Sequence, residues 1–112
     1  MKNFHHQELA SGRWYRLKLV EQIANIGSEV ERMIAFQEKD KDFAKLALYR
    51  ALELVDLTVA DPKNKKRLKE VLRLRELLVD FFFENRYKTE KDSWYRYFYP
   101  FFLAARKARG IS

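Results

Sequence analysis

Residues 42–62 have the sequence DFAKLALYRALELVDLTVADP and carry the clearest helical pattern of this chain. Its apolar residues recur three and four positions apart, which is the spacing of one face of an α-helix. The apolar arc is too wide for a helix that is covered on one face only, so we expect this helix to lie deepest in the molecule. Asp61 and Pro62 should begin the next helix, because an N-cap carboxylate followed by proline is a typical helix start.

The same periodicity on both sides of this stretch predicts three more helices. The four predicted helices cover residues 11–36, 42–60, 62–85 and 90–109, with approximate ends. The sequence TEKD at residues 89–92 resembles a capping box and should open the last helix. Short connections favour antiparallel neighbours, so the sequence predicts an all-α protein, a single up-down-up-down four-helix bundle over residues 1–112.

Composition excludes several classes of chemistry. The 112 residues include no cysteine, which excludes thiol nucleophiles, disulfides and cysteine-ligated zinc. The only glycines are Gly12, Gly27 and Gly110, so no glycine-rich loop can cradle a phosphate. The histidines His5 and His6 lack the spacing that converges on one metal ion. We therefore expect a protein that is not an enzyme and has no cofactor and no metal site.

The apolar segments are short. The longest apolar run, residues 97–105, is about half as long as a membrane-spanning helix requires. Residues 1–7 lack the apolar stretch of a secretory signal. These features predict a cytoplasmic protein without membrane contact.

Positive charge is concentrated in two places. The chain carries a formal charge of +7, and residues 63–75 contain seven basic residues and one acidic residue. A smaller basic cluster lies at residues 106–109. Such concentration is typical of proteins with a polyanionic partner, although a solvated helix surface or an acidic protein partner would also fit. The residues expected to bind nucleic acid are Lys63, Lys65, Lys66, Arg67, Lys69, Arg73, Arg106, Lys107 and Arg109.

Two arginines fall within predicted apolar stripes. On a helical wheel, Lys66, Lys69 and Arg73 share the outward face of the third helix, whereas Arg75 falls on its inward face. Arg16 falls on the apolar face of the first helix. An unpaired buried guanidinium is too costly to keep, so we expect both arginines to form structural ion pairs. The candidate partners are Glu53, Asp56 and Glu31.

Aromatic residues exceed what one helix face can bury. Seven of the nine residues 94–102 are aromatic, and a second aromatic and basic cluster occupies residues 13–16. Aromatic residues and arginine are enriched in protein interfaces, and aromatic rings also stack on unpaired bases. We favour self-association over base stacking for the surplus. The residues expected at an oligomer or partner interface are Trp14, Tyr15, Trp94, Tyr95 and Tyr97.

Three short sequences carry a resemblance to a known family. They are QIANIGSE at residues 22–29, KDF at residues 41–43 and ALEL at residues 51–54. Together they resemble the small four-helix bundle proteins encoded within 23S rRNA intervening sequences. That family includes the accessory variability determinants of diversity-generating retroelements, and the resemblance covers roughly residues 20–80. It implies a basic homopentameric barrel that binds nucleic acid and associates with a reverse transcriptase.

Two functional hypotheses follow from these observations. The first is a non-enzymatic, homo-oligomeric bundle that binds RNA or DNA backbones through its basic segments, as an accessory subunit of a reverse transcriptase. The second is a structural or adaptor module that docks a protein partner through its aromatic surface and has no role with nucleic acid.

Overall fold

The structure, a computed structural model, describes residues 12–110. Within this range the regular structure is helical and includes no strand, which confirms the all-α prediction. Two 3₁₀ helices cover Arg13–Arg16 and Pro62–Arg67. The four α-helices are α1 (Leu19–Phe36), α2 (Lys41–Ala60), α3 (Leu68–Phe83) and α4 (Lys91–Ala108).

The four α-helices pack around one apolar core. Helix α1 packs against both α2 and α4, and α2 also packs against α3. The side chains of Ile26, Val30 and Met33 on α1 and of Leu48 and Val55 on α2 are fully enclosed. Helices α1 and α2 therefore form the centre of the core, in agreement with the wide apolar arc of residues 42–60.

Aromatic side chains connect α3 and α4. The rings of Phe81 and Trp94 meet edge to face with their centroids 5.7 Å apart. The Tyr97 hydroxyl donates a hydrogen bond to Glu70 Oε2 over 3.3 Å. Large side chains thus fill the space between these two helices.

Gly27 permits the close crossing of α1 and α4. A Cβ atom at this position would lie 2.6 Å from Phe98 Cδ1 and 2.7 Å from Phe98 Cγ. Because Phe98 is fully buried, its ring has no room to move away. The close helix approach compensates for the helix propensity that a glycine inside α1 costs, about 1 kcal/mol.

The first helix begins later than the sequence predicts. Helix α1 starts at Leu19 rather than near residue 11, because Gly12 has a φ of 113° and residues 13–16 form a 3₁₀ turn. Leu17 and Lys18 are extended, and the Lys18 N–H donates to Glu21 Oε1 over 3.1 Å to cap the helix. His5 and His6 lie outside the described residues.

The third predicted helix is divided in two. Asp61 Oδ1 accepts a hydrogen bond from the Lys63 N–H, so the predicted start at Asp61 and Pro62 is confirmed. Residues 62–67, however, form a 3₁₀ helix, and the α-helix starts at Leu68. It ends at Phe83 instead of residue 85, since Asn85 has a φ of 50° that terminates the helix.

The predicted capping box of α4 does not form. Glu90 is the N-cap residue, and its side chain makes no capping hydrogen bond. The Asn85 side chain engages Thr89 instead: its Oδ1 accepts from the Thr89 N–H, and its Nδ2 donates to the Thr89 carbonyl. Thr89 therefore belongs to the loop that Asn85 stabilises. None of the helices described between residues 12 and 110 has the length and apolarity needed to cross a bilayer.

Candidate functional site

Basic residues collect at one end of the bundle. We call residues 12–18, 61–70 and 105–110 the basic pole. Lys63 Nζ donates to the Tyr15 carbonyl over 3.0 Å, which joins the first two segments. Arg106 and Arg109 line a groove with Asn25, one helical turn from Gln22 on α1. The three segments therefore lie at the same end of the helices, although they are far apart in the sequence.

The charge of the described chain is divided unevenly between this pole and the rest. The basic pole contains eleven basic and two acidic residues. The remaining described residues, 19–60 and 71–104, contain eleven basic and thirteen acidic residues. The entire positive excess of the described chain thus belongs to the pole.

A buried hydrogen-bond network holds the pole in place. Gln22 Nε2 donates to the Trp14 carbonyl over 3.1 Å and to Asp61 Oδ2 over 2.8 Å. Asn64 Nδ2 donates to Gln22 Oε1 over 2.8 Å and to the Thr58 carbonyl over 3.0 Å. Trp14 Nε1 donates to Thr58 Oγ1 over 3.1 Å. These bonds use both N–H groups of the Gln22 side-chain amide and both N–H groups of the Asn64 side-chain amide. They attach both 3₁₀ helices to α1 and α2.

Asp61 supplies the buried charge of this network. Lys63 Nζ forms an ion pair with Asp61 Oδ2. Burial raises the pKa of the Asp61 carboxyl, but the Lys63 and Gln22 hydrogen bonds outweigh burial and hold that pKa below its usual range. The ionised carboxylate therefore contributes stability above the ordinary pKa of aspartate, and this contribution is lost as the pH falls through the lowered pKa.

The predicted nucleic-acid-binding residues of the second 3₁₀ helix and α3 differ in their availability. Lys65, Lys66 and Lys69 are exposed, and no ion pair within residues 12–110 includes them. Arg67 forms an ion pair with Glu70. Lys63 is held by Asp61, as described above. The three lysines are therefore the residues of this segment that are most available to an external anion.

Arg73 is engaged within α3 and the loop that follows it. Its guanidinium forms an ion pair with Glu76 over 2.7 Å and lies 5.0 Å from the ring centroid of Tyr87. The hydrogen bonds to Glu76 and Tyr87 raise the pKa of Arg73. Arg73 is exposed, but the Glu76 carboxylate partly compensates its charge.

The end of α4 completes the pole. Arg106, Lys107 and Arg109 are exposed, and no ion pair of the described residues includes them. Arg106 and Arg109 line a groove of about 200 Å³ between α1 and α4. The two predicted basic clusters thus lie at the same end of the bundle.

The two arginines predicted to form structural ion pairs have different outcomes. Arg75 Nε lies 2.9 Å from Asp56 Oδ1, which confirms one of its predicted partners. Both side chains are 41% exposed, so this pair lies at the surface between α2 and α3. Arg16 is exposed in the first 3₁₀ helix, because α1 begins only at Leu19. The prediction that Arg16 lies on the apolar face of α1 is therefore wrong.

The predicted aromatic interface requires a correction. Trp14 and Trp94 are 1% and 2% exposed, so both belong to the core and cannot present an indole to a partner. Tyr97 is half-buried beside Glu70, and burial together with the Glu70 carboxylate raises its pKa to about 12. Tyr15 and Tyr95 are each 39% exposed and remain at the surface.

The exposed aromatic surface that the sequence did not reveal lies at the end of α3. Phe83 and Tyr87 are 55% and 51% exposed, and with Val79 they line a surface pocket of about 390 Å³. Leu72 on the same helix is 46% exposed. On a helical wheel Leu72, Val79 and Phe83 share one face, and this second apolar stripe is the signal that could have identified the surface.

No metal centre is assembled by the described residues. Within residues 12–110, no group of three or more His, Cys, Asp or Glu side chains is placed to hold a metal ion. Comparisons of the chain with known protein families, with curated proteins and with solved structures found no match.

Proposed function

We propose that this chain is a non-enzymatic protein that binds the phosphate backbone of RNA or DNA through its basic pole. One observation carries the proposal: three separate segments bring eleven basic residues to one end of the bundle, while the rest of the described chain has a slight acidic excess. A localised basic surface of this kind is the electrostatic footprint of nucleic-acid binding.

The mechanism is electrostatic. Lysine and arginine side chains that neutralise phosphates release the counterions condensed on the nucleic acid, and this release drives binding without reading the sequence. Lys65, Lys66 and Lys69 are suited to this role because they have no carboxylate partner within the described residues. The buried network supports them, since a platform that is already ordered loses little conformational entropy on binding.

Charge reversal on the pole tests the proposal. We expect Lys66→Glu combined with Lys69→Glu to weaken binding of RNA and duplex DNA at least tenfold at physiological salt, because two phosphate contacts become repulsive. Both positions are exposed, so the circular dichroism of the folded protein should not change.

The matched control is Lys39→Glu combined with Lys91→Glu, which makes the same change in charge on exposed residues at the opposite end of the bundle. This control should bind far more tightly than the pole variant. Equal losses in the two variants would mean that net charge alone governs binding and would remove the pole from the site.

The exposed apolar face of α3 favours self-association in addition. Leu72, Phe83 and Tyr87 are each about half exposed on this side of the molecule. Exposed apolar side chains bordered by charged residues, here Glu76, Asp80, Glu84 and Arg86, are typical of an interaction surface, and we propose that a second copy of the chain covers them. Association would multiply weak phosphate contacts into stronger binding. The rival hypothesis, an adaptor module without a role in nucleic-acid binding, would use the same surface for another protein.

Sedimentation of Phe83→Ser tests self-association. We expect the wild-type chain to sediment as an oligomer at micromolar concentration and Phe83→Ser to sediment as a smaller species, because a large exposed ring is lost from the interface. The control is Tyr99→Ser, which removes a 61% exposed ring from α4 and should leave the mass unchanged. A monomeric wild-type chain would contradict self-association.

The resemblance to the intervening-sequence bundle proteins extends the proposal. It supports an up-down-up-down order of the helices, a homopentameric assembly and an accessory role beside a cytoplasmic reverse transcriptase. The hydrogen bond between Trp14, in the 3₁₀ helix that precedes α1, and Thr58, near the end of α2, is consistent with antiparallel neighbours. The contact between Phe81, near the end of α3, and Trp94, near the start of α4, is also consistent with antiparallel neighbours.

A further inference from the structure

The groove between α1 and α4 has a defined and mixed chemistry. Its α1 wall includes Asn25 and Ser28, and its α4 wall includes Phe102, Arg106 and Arg109. The volume is about 200 Å³, which is below the range of about 300–1,000 Å³ that is usual for drug-sized ligands. The groove is therefore suited to a part of a nucleotide.

The polar groups of the groove are complementary to different parts of a nucleotide. Asn25 Nδ2 donates to the Glu21 carbonyl over 2.8 Å, which leaves Asn25 Oδ1 as an acceptor. The Ser28 hydroxyl donates to the Ala24 carbonyl over 3.3 Å, which leaves its oxygen as a second acceptor. Arg106 and Arg109 contribute only donors and have no carboxylate partner among residues 12–110. Donors for an anion thus lie beside acceptors for N–H groups.

An aromatic wall and a rigid frame complete the groove. The Phe102 ring is half-buried and stacks on Phe98 with the ring centroids 6.3 Å apart. Asn25 and Ser28 belong to α1, Phe102 and Arg106 belong to α4, and Arg109 is the C-cap residue of α4. The two helices cross closely at Gly27. The groove is consequently held by the packing of the core.

We propose that this groove binds one unstacked nucleotide of a single-stranded nucleic acid. Arg106 and Arg109 contact the phosphate, and the base lies against Phe102 with its N–H groups directed to Asn25 Oδ1 and Ser28 Oγ. The inference rests on the proposed function and makes it more specific. A base inside a duplex is stacked and paired and cannot enter the groove, so the chain should prefer single strands, as proteins with aromatic base platforms do.

Filling the groove tests this inference without changing charge. Ser28 is exposed, so Ser28→Trp should fold and place an indole in the groove. We expect this variant to bind a fluorescein-labelled 12-nucleotide RNA at least tenfold more weakly, while its affinity for a 12-base-pair duplex DNA changes less than twofold. The control is Ala35→Trp, which adds the same side chain at an exposed position of the same helix and should change neither affinity.

The results separate this inference from the proposed function. If the pole variant Lys66→Glu/Lys69→Glu loses binding and Ser28→Trp binds single strands as the wild type does, phosphate binding stands and the groove inference is overturned. An equal loss of single-strand and duplex binding by Ser28→Trp would also overturn it.

A second measurement locates the site directly. In an NMR titration of the wild-type chain with uridine monophosphate, we expect the largest amide shifts at Asn25, Ser28, Arg106 and Arg109. Inorganic phosphate should move the two arginine signals but not those of Asn25 and Ser28. Shifts confined to residues 63–69, or no shifts at all, would overturn the inference.

Discussion

Replacing Trp14 with alanine should lower the free energy of unfolding by about 3–5 kcal/mol, the usual effect of truncating a buried tryptophan. Trp14 is 1% exposed, and its indole N–H donates to Thr58 Oγ1. The truncation removes the ring from the core, leaves a cavity and deletes a donor from the buried network. Domains of this size are stable by about 5–15 kcal/mol, so the variant loses a large part of its stability. Urea denaturation followed by circular dichroism measures the loss.

The neighbouring tyrosine is the matched control for this experiment. Tyr15 lies in the same 3₁₀ helix but is 39% exposed, so Tyr15→Ala should cost much less than Trp14→Ala. Similar losses in the two variants would contradict the burial of Trp14. They would also support the interface role that the sequence predicts for Trp14.

Replacing Gln22 with leucine should cost about 2–4 kcal/mol, because each buried polar group left without a partner costs about 1–3 kcal/mol. The leucine would withdraw the two donors that Gln22 offers to Trp14 and Asp61 and the acceptor it offers to Asn64. The second 3₁₀ helix would then lose one of its attachments to α1. We expect faster amide hydrogen exchange at residues 63–67 as well as a lower urea midpoint.

The position that best controls for Gln22 is Asn25, one turn further along α1. Asn25 is exposed, so Asn25→Leu makes a comparable polar-to-apolar exchange without opening the network. Its effect on stability should stay within about 0.5 kcal/mol. If Gln22→Leu proved as stable as the wild type, the network would contribute nothing to the placement of the basic pole.

Local signals predicted the helices well. The Asp61 and Pro62 pair gives a helix start that depends on neighbouring residues alone, and the structure places the start of the second 3₁₀ helix there. The charge-pair prediction for Arg75 also succeeded, because the wheel placed it toward α2, where Asp56 lies. The capping box at residues 89–92 failed because Asn85, outside the motif, competes for the Thr89 backbone.

Long-range packing decided the features that the sequence could not give. Trp14 resembles a surface aromatic in the sequence, and its burial follows from the turn after Gly12 and from Thr58, 44 residues away. Trp94 is buried for a similar reason, since Phe81 of α3 packs on its ring. The role of Gln22 was missed as well, although a glutamine next to Ile23 in an apolar stripe is a signal of a buried amide.

The candidate site was predicted in composition but not in arrangement. The sequence identified the basic residues near residues 63–75 and 106–109. It did not show that residues 13–18 join them, because this depends on the Lys63 contact with Tyr15. Nor did it separate the available lysines from Arg67 and Arg73, whose carboxylate partners lie three residues away.

Phosphate binding by the basic pole is tested by the affinity of the purified chain for a labelled structured RNA and for a duplex DNA, each measured from low to physiological salt. If the basic pole binds phosphates, the logarithm of the association constant should fall linearly and steeply with the logarithm of the salt concentration. The slope then gives the number of phosphates contacted. The absence of binding to both probes even at low salt would contradict the claim.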